Sequence, residues 1–388
     1  MRVCFVSHSS GEGGAEKALL ETIDVLRDEG VECTVFLPER GAMANELDTL
    51  RVPYCVAPYK WWVGAKTDTV KARIVRAGTN CLAAMSVLDK AIQWRPHLIV
   101  SNTNAVVVGA LVAYVLRRPH LWHLHEFGEE DHGFTFDLGE RISYRVMDSL
   151  SSICVTNSRA VTAKYDRHIP ASKLRQIYYS MHRFRPVREE SGSPPVPPRR
   201  FPFRCIIVGR LSEGKGHQDA IEAIAELRRH DIRTELLVVG SGPTEHENYL
   251  RGLVRRYELG ECVLFIGQAK NVLPFVQSAD IVLMCSRAEA FGRVTVEAML
   301  AEKPVIGANS GGTPELIQEG TTGLLYQPGN SRELADKLRY LCERPPVAKQ
   351  MGVNAGAWAR ASFTKNRYSK EILSALDAAI KKAGIRIE

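Results

Sequence analysis

Hydrophobic and polar positions follow two alternating rhythms along the whole chain. Short apolar runs, typical of buried strands, are each followed by a longer segment in which apolar residues recur with the helical period. In the first half, the pattern predicts strands at 2–7, 31–37, 97–101, 119–125, 152–156 and 174–179. Helices are predicted between them at 14–29, 80–94, 104–117, 139–150 and 158–167.

The second half repeats this rhythm. Predicted strands lie at 203–209, 234–240, 262–266, 280–285, 304–307 and 323–326. Predicted helices lie at 216–230, 244–258, 270–278, 292–302, 313–319, 330–343, 347–361 and 366–383. Strands that alternate with helices in this way indicate an α/β protein with doubly wound parallel sheets.

A proline-rich segment at 188–202 divides the two halves. Its five prolines, together with Gly and Ser, disfavour both helix and central strand, so we predict an interdomain linker. The first domain is then 1–187 and the second is 203–365, with the C-terminal helix at 366–388 packing back onto the first. Such domains would face each other across a cleft and bind ligands at the carboxyl ends of their strands.

Composition changes this picture little. A chain of 388 residues suits two domains, and its formal net charge of +7 fits anionic substrates or a membrane surface without singling out either. No nucleic-acid-binding module is recognisable. The nine cysteines lie mostly in apolar runs without metal-binding spacing, which predicts free thiols in a reducing compartment.

The N-terminus begins with a strand rather than a signal peptide, and the longest apolar run, 105–116, is too short to cross a bilayer. We therefore expect a cytoplasmic protein. Peripheral contact with the inner face of a membrane stays open.

Two glutamates flank a Phe-Gly turn near the end of the second domain. Glu289 follows a predicted strand, and Glu297 lies inside the next predicted helix. The first N–H groups of that helix have no intrahelical partners and attract anions, so the segment suits a sugar on one carboxylate, a ribose on the other and phosphate between them. The alternative is that acidic residues simply favour helix starts and solvated faces.

A second candidate segment follows the first strand of the second domain, where Arg210 and Lys215 lie in a glycine-rich loop. Arginine offers a planar fork to phosphate oxygens and lysine a point charge, so the pair suits a diphosphate. In the first domain, Gly13 and Gly14 precede a helix, but a dinucleotide fingerprint needs a third glycine where Glu16 stands. A nicotinamide or flavin site is therefore disfavoured.

Three motifs in order resemble the family 4 retaining glycosyltransferases, also described as glycosyl transferases group 1. They are Gly-Arg-Leu-x-x-x-Lys-Gly at 209–216, Glu-Ala-Phe-Gly-x4-Glu-Ala-Met at 289–299, and Gly-Gly-Thr-Pro-Glu at 311–315. The resemblance implies a GT-B fold, which is two Rossmann-like doubly wound parallel-sheet domains facing across a cleft. It also implies that the second domain holds a nucleotide-sugar donor, without a metal or other cofactor.

The resemblance also implies roles for individual residues. Arg210 and Lys215 would bind the diphosphate, Glu289 the sugar hydroxyls and Glu297 the ribose. The remaining residues expected at the donor are Gly13, Gly14, Gly209, Gly267, Ala290, Phe291, Gly292, Arg293 and Val294. Arg293 replaces the aliphatic residue of many members, so a third phosphate contact and an outward-facing side chain stay open.

A histidine often follows the corresponding strand of the first domain in this family, near the reacting carbon. His125 is the better match, and His123 is the alternative. We expect His125 with Glu289, Arg210 and Lys215 to support catalysis, and His123 and Glu126 to contact the acceptor. The His-x-His-Glu spacing could also ligate a metal, but no third ligand is apparent, so we predict none.

Trp61 and Trp62 stand among several cations in the first domain. Exposed tryptophan beside lysine and arginine suits sugar stacking or a membrane interface, whereas buried tryptophan would be ordinary core. We predict acceptor contacts at both residues.

The sequence thus predicts a retaining hexosyltransferase that uses a UDP-, GDP- or other NDP-sugar and a glycan, lipid-linked or small-molecule hydroxyl acceptor. No nucleic-acid partner is expected. Two alternatives stay open, a GT-B sugar-nucleotide epimerase and a non-catalytic nucleotide-sugar-binding protein. Neither the base, the sugar, the acceptor nor the oligomeric state follows from the sequence.

Overall fold

Each half of the chain builds its own parallel sheet. The computed structural model describes residues 1–184 and 194–384, and it divides into one unit of residues 1–183 with 363–388 and a second of 184–362. Of the predicted linker, residues 188–193 lie outside the described ranges, and 194–202 contain neither helix nor strand. Among the described residues, no helix combines the length and apolar character needed to cross a membrane.

The first unit contains nine strands and seven helices before the linker, and the C-terminal helix belongs to it as well. The strands are β1 (Arg2–Ser7), β2 (Glu32–Leu37), β3 (Tyr54–Val56), β4 (Val63–Gly64), β5 (Leu98–Asn102), β6 (His120–Leu124), β7 (Thr135–Phe136), β8 (Ile153–Thr156) and β9 (Leu174–Gln176). The helices are α1 (Gly14–Asp28), α2 (Ala42–Leu50), α3 (Val70–Trp94), α4 (Val108–Val115), α5 (Glu129–His132), α6 (Glu140–Leu150) and α7 (Arg159–Tyr165).

The second unit continues the alternation. Its strands are β10 (Phe203–Val208), β11 (Thr234–Val239), β12 (Val263–Gly267), β13 (Ile281–Met284), β14 (Val305–Ala308) and β15 (Gly323–Tyr326). Its helices are α8 (His217–Arg229), α9 (Thr244–Arg256), α10 (Leu273–Ser278), α11 (Arg293–Leu300), α12 (Thr313–Leu316), α13 (Ser331–Cys342) and α14 (Pro345–Ser362), and α15 (Lys365–Lys382) returns to the first unit.

Both main sheets are parallel and reverse their strand order once. The order is β3-β2-β1-β5-β6-β8-β9 in the first unit and β12-β11-β10-β13-β14-β15 in the second. The reversal therefore falls beside β1 in the first sheet and beside β10 in the second. In open parallel sheets the loops at such a switch point are the usual ligand sites.

Burial follows the sequence pattern, because parallel sheets are covered on both faces. Central strands such as β5 and β14 are buried along their whole length. In the first unit, Ile372 and Leu376 of α15 join the core formed by α1 and the central strands. The helix at the end of the chain is therefore part of the first unit's core.

The main departures from prediction lie between β2 and β5 and between β6 and β8. Helix α3 begins at Val70 rather than at residue 80, and its first turn is capped by the Thr69 hydroxyl, which accepts a hydrogen bond from the Ala72 N–H at 3.2 Å. The pattern also missed α2 and α5 and the short strands β3, β4 and β7. Two or three residues are too few to show a period.

Candidate functional site

The loop after β10 brings Lys215 to the end of β13. Lys215 closes a 3-10 turn, and Gly216 follows it in the left-handed region, with φ of 66°. A Cβ added at Gly216 would lie 2.1 Å from the Cys285 carbonyl oxygen, so a larger residue does not fit without moving the backbone. This close contact brings the loop after β10 against the loop after β13.

Lys215 and Glu289 form a direct ion pair. The Lys215 Nζ donates to Glu289 Oε2 at 2.7 Å, and the two side chains are 30% and 16% exposed. The two motifs that the sequence placed 74 positions apart thus meet at one edge of the sheet. An anion that binds Lys215 would compete with the Glu289 carboxylate for the ammonium group.

The third motif supports the second through its backbone. Gly311 has φ of 57°, and a Cβ there would lie 2.3 Å from the Glu289 carbonyl oxygen. The Gly312 N–H donates to that same oxygen at 2.7 Å. The Gly-Gly-Thr-Pro-Glu segment therefore fixes the main chain from which the Glu289 side chain projects.

Helix α11 presents its N-terminus directly after this loop. Phe291 and Ala290 are buried, Gly292 is the N-cap residue with φ of 93°, and Arg293 and Val294 are half-buried in the first turn. Glu297 is 8% exposed, one turn further along. Its burial contradicts the solvated-face alternative, because an exposed helix face does not enclose a carboxylate.

The remaining donor residues predicted in the second unit line the same edge of its sheet. Arg210 is exposed after β10, next to Gly209. The Gly240 N–H, after β11, donates to the Gly267 carbonyl at 2.8 Å. The loop that begins at Gly267 therefore lies beside the loop after β11. The second unit thus gathers exposed Arg210, the Lys215–Glu289 ion pair, the buried Glu297 carboxylate and a helix N-terminus on its carboxyl edge.

In the first unit, His125 is held on both ring nitrogens. Nε2 lies 2.7 Å from Asn102 Oδ1, and Nδ1 contacts the Tyr179 hydroxyl. An amide oxygen accepts but cannot donate, so Nε2 carries the proton and Nδ1 accepts from tyrosine. The Tyr179 hydroxyl in turn accepts from Asn157 Nδ2 at 2.8 Å. This network fixes both the tautomer and the orientation of the imidazole.

His123 and Glu126 occupy different surroundings beside it. The His123 ring stands 4.0 Å from the His125 ring, and burial lowers the pKa of His123 to about 3, so the ring is neutral. Glu126 accepts the Asn104 N–H at 2.9 Å. Burial, with Asp131 nearby, raises the pKa of Glu126 to about 8, so its neutral form is favoured near neutral pH.

The glycine loop after β1 is shaped by residues that the sequence analysis did not select. Glu16, counted there only as a missing glycine, folds back under Gly13, where a Cβ would lie 2.6 Å from its Oε2. The Ser9 hydroxyl contacts the same carboxylate, and Asn102 Nδ2 donates to the Ala15 carbonyl at 3.1 Å. Asn102 therefore links the loop containing Gly13 and Gly14 to His125.

The two tryptophans differ in burial and in their neighbours. Trp61 is half-buried; its ring stacks on His8 at 5.8 Å and meets Phe134 edge-on at 5.3 Å. Trp62 is 5% exposed, stacks on Trp122 and donates its indole N–H to the Asn104 carbonyl at 2.6 Å. The prediction that Trp62 contacts an acceptor is therefore wrong, because its ring lies in the core with its polar atom already bonded.

Comparisons with known proteins bear on both units. The model for the glycosyl transferase 4-like domain matches residues 13–179, and the model for glycosyl transferases group 1 matches 199–358. The chain carries one glycosyltransferase domain of each kind, which is consistent with the family 4 glycosyltransferases. The resemblance drawn from the three motifs is confirmed, and so is the GT-B fold class.

Two curated relatives match parts of the chain. N-acetyl-alpha-D-glucosaminyl L-malate synthase of Bacillus anthracis is 34% identical over 169 residues, which are 44% of this chain and 42% of that protein. Trehalose synthase of Pyrococcus horikoshii is 32% identical over 179 residues, 44% of this chain and 43% of that protein. In both, the match spans less than half of the relative's length.

Solved structures match along nearly the whole chain. The crystal structure of Anabaena Alr3699/HepE in complex with UDP and glucose has a TM-score of 0.78 and 26% identity, covering 97% of this chain and 99% of that one. The same protein in complex with UDP-glucose has a TM-score of 0.77 and 25% identity, covering 97% and 100%.

Proposed function

We propose that this group 1 glycosyltransferase moves a hexose-type unit from a nucleoside-diphosphate sugar to a hydroxyl of a glycan, lipid-linked saccharide or small-molecule acceptor. The Lys215–Glu289 ion pair carries the proposal, because it joins a cation suited to a diphosphate with a carboxylate suited to sugar hydroxyls. The HepE complexes make UDP-sugars the first donors to test.

The second unit would hold the donor through its carboxyl edge. Lys215 and exposed Arg210 would neutralise the diphosphate, and the N–H groups at the start of α11 would bind the same oxygens. Glu289, released from Lys215 as phosphate arrives, would bind the sugar hydroxyls, and Glu297 would bind the ribose. Cations that already offset the developing charge on the leaving group make a divalent metal or other cofactor unnecessary.

Transfer would proceed with retention at the anomeric carbon. The bond from that carbon to the phosphate oxygen breaks, the acceptor oxygen bonds on the same face, and its proton passes to the departing diphosphate. Glu289 would not act as a nucleophile, since the family resemblance assigns it to the hydroxyls of the donor sugar. Catalysis then rests on positioning and on stabilising the leaving group.

The first unit would receive the acceptor beside His125. Its Nε2–H is oriented by Asn102, and half-buried Trp61 offers an aromatic face next to His8. Burial favours the neutral forms of His123 and Glu126 near neutral pH. Both side chains would therefore add hydrogen bonds to the acceptor without adding charge. We propose a cytoplasmic enzyme whose products enter polysaccharide or glycolipid assembly.

A panel of UDP-, GDP-, ADP- and dTDP-sugars tests the donor assignment. We expect one nucleotide series to raise the unfolding temperature and the Lys215→Ala variant to lose most of that rise, because ligand binding stabilises the native state. Incubation of the stabilising donor with candidate acceptors should then release nucleoside diphosphate and form a glycoside whose anomeric configuration NMR reports.

Three outcomes would contradict the proposal in different ways. Interconversion of the donor sugar without any acceptor would indicate an epimerase. Stabilisation without turnover on a broad acceptor panel would indicate a binding protein. An inverted product would retain the transferase but remove the retaining mechanism.

A further inference from the structure

Helix α3 carries a second apolar face that is exposed among the described residues. Its inner face, with Asn80, Ala83, Val87 and Ala91, is buried in the first unit. On the opposite side we define the outer stripe as Ile74, Cys81, Leu82, Met85 and Ile92. The four large side chains of the outer stripe are 55–66% exposed, and Cys81 is exposed as well.

The outer stripe is continuous and uncharged. At about 3.6 residues per turn, Ile74, Cys81, Met85 and Ile92 fall on one line along the helix. Every exposed position from Ile74 to Ser86 carries an apolar or small uncharged side chain. Contiguous exposed apolar surface of this kind marks an interaction site in a protein that is otherwise well packed.

The charges at the two ends of the stripe are self-complementary. Lys71 and Asp89 are both exposed and lie 89 − 71 = 18 residues apart, which is about five full turns, so they share one flank of the helix. If a second α3 packs antiparallel about a two-fold axis at the level of residue 80, Lys71 of each copy stands opposite Asp89 of the other. A two-fold interface requires this kind of self-matching surface.

We propose that the outer stripe of α3 is the interface of a homodimer, formed by antiparallel packing of two copies of this helix. Ala77 and Gly78 keep side chains short where the helices would approach to about 8–10 Å. Cys81 lies one residue from the symmetry axis, so the two Cys81 residues face each other. Two Lys71–Asp89 pairs close the ends of the interface.

A membrane surface fits the outer stripe less well. Interfacial helices carry lysine and arginine along the polar flank of the apolar face. Here Arg76 binds Asp68 and Asp137 within the unit, and Arg73 points to the Asp137 carbonyl at 3.5 Å. Asp89, 65% exposed with Lys90 at 3.7 Å, would oppose anionic lipid.

Light scattering coupled to gel filtration of the full chain tests the dimer. We expect about twice the 43.2 kDa chain mass, falling to the monomer mass in Met85→Asp. The matched control is Tyr340→Asp, which introduces the same charge at a 41% exposed residue of α13 and should leave the mass unchanged. A circular dichroism spectrum and an unfolding temperature equal to those of wild type would show that each variant is folded.

A charge reversal tests the register without disturbing the apolar face. Lys71→Asp should weaken the dimer about tenfold, since like charges across an interface repel, and the added Asp89→Lys should restore it. A short bis-maleimide should cross-link wild type into a covalent dimer and should form no covalent dimer with Cys81→Ser. Cys55 is half-buried and the other seven cysteines are buried, so the reagent should report on Cys81.

Three results would overturn the proposal. The mass could stay at that of one chain at every concentration, or a dimer could persist unchanged in Met85→Asp and in Lys71→Asp. Alternatively, a monomer could bind vesicles containing anionic phospholipid and lose that binding in Met85→Asp, which would assign the outer stripe to a membrane surface instead.

Discussion

The carboxyl edges of the two sheets carry different chemistry although the sheets share one architecture. In the second unit the edge presents charge that solvent can reach, with Arg210 exposed and Lys215 paired to Glu289. In the first unit the histidines at this edge are buried, and His125 is bonded on both nitrogens. A single fold can therefore serve two tasks, one that binds charge and one that positions a proton, through its loops alone.

This contrast predicts which variants lose affinity and which lose only rate. Changes to charged residues of the second unit should alter nucleotide binding or transfer directly. Changes around His125 in the first unit should leave the nucleotide in place and affect the acceptor step. The four predictions below run from the largest expected effect to the smallest.

Glu289→Gln should reduce turnover about 10²–10³-fold, the range for loss of one preorganised polar contact to a transition state. UDP affinity should stay the same or rise, because Lys215 loses the carboxylate that competes with phosphate. Product formation and calorimetry on the same preparation check both parts. Turnover at the wild-type level would remove Glu289 from the site.

Lys215→Ala should weaken UDP binding by about 1.5–3 kcal/mol, the range for a hydrogen bond to a charged group. Arg210→Ala should act in the same direction. The control is Lys337→Ala. It removes a lysine of α13 that pairs with Glu319, and it should leave UDP affinity unchanged. Equal UDP affinity in Lys215→Ala and wild type would contradict the assignment.

Tyr179→Phe should reduce kcat about tenfold without changing UDP affinity, since His125 loses the hydroxyl that fixes Nδ1 as an acceptor. The pH profile of kcat should shift as well, which a purely structural defect would not produce. Tyr144→Phe is the matched control, because Tyr144 is a buried tyrosine of the same unit stacked on His168. An unaltered kcat and profile would place Tyr179 outside the mechanism.

Glu126→Gln should flatten the pH dependence of stability between pH 6.5 and 8. The folded pKa of about 8 lies above that of an unfolded glutamate, so the native state binds the extra proton and stability falls as pH rises through this window. The buried histidines, whose pKa values are lowered, titrate below it. The free energy of unfolding of wild type, followed by thermal unfolding, should fall by about 1–2 kcal/mol between pH 6.5 and 8. An equal fall in Glu126→Gln would refute the raised pKa of Glu126.

Most of the fold could be predicted because apolar period and strand length agree in both sheets except at the three-residue edge strand β3. Strands such as β1 and β15 match their predicted bounds. The prediction failed at the start of α3, where Val70, Ile74 and Val75 are β-branched and Gly78 lowers helix propensity. The outer stripe begins in this same stretch. Its apolar residues face outward, so they do not follow the period of the buried face, and the pattern did not predict a helix there.

The candidate site was predictable up to the level of loops. Motifs at strand ends place Lys215 and Glu289 on one edge, but their ion pair depends on the tight contact at Gly216, which spacing does not encode. The partners of His125 lie 23 and 54 positions away, at Asn102 and Tyr179. Asn102 ends β5 beside β6, and that adjacency was the available signal.

The contact of Gly311 with the Glu289 carbonyl has a consequence for genetics. A methyl group at position 311 would press on the main chain beneath the carboxylate, so Gly311→Ala should resemble a defect in the chemistry itself. Natural variants at this glycine would then be classed as active-site lesions in an enzyme assay. Yet the altered residue would only have displaced the support of Glu289, 22 positions earlier in the chain.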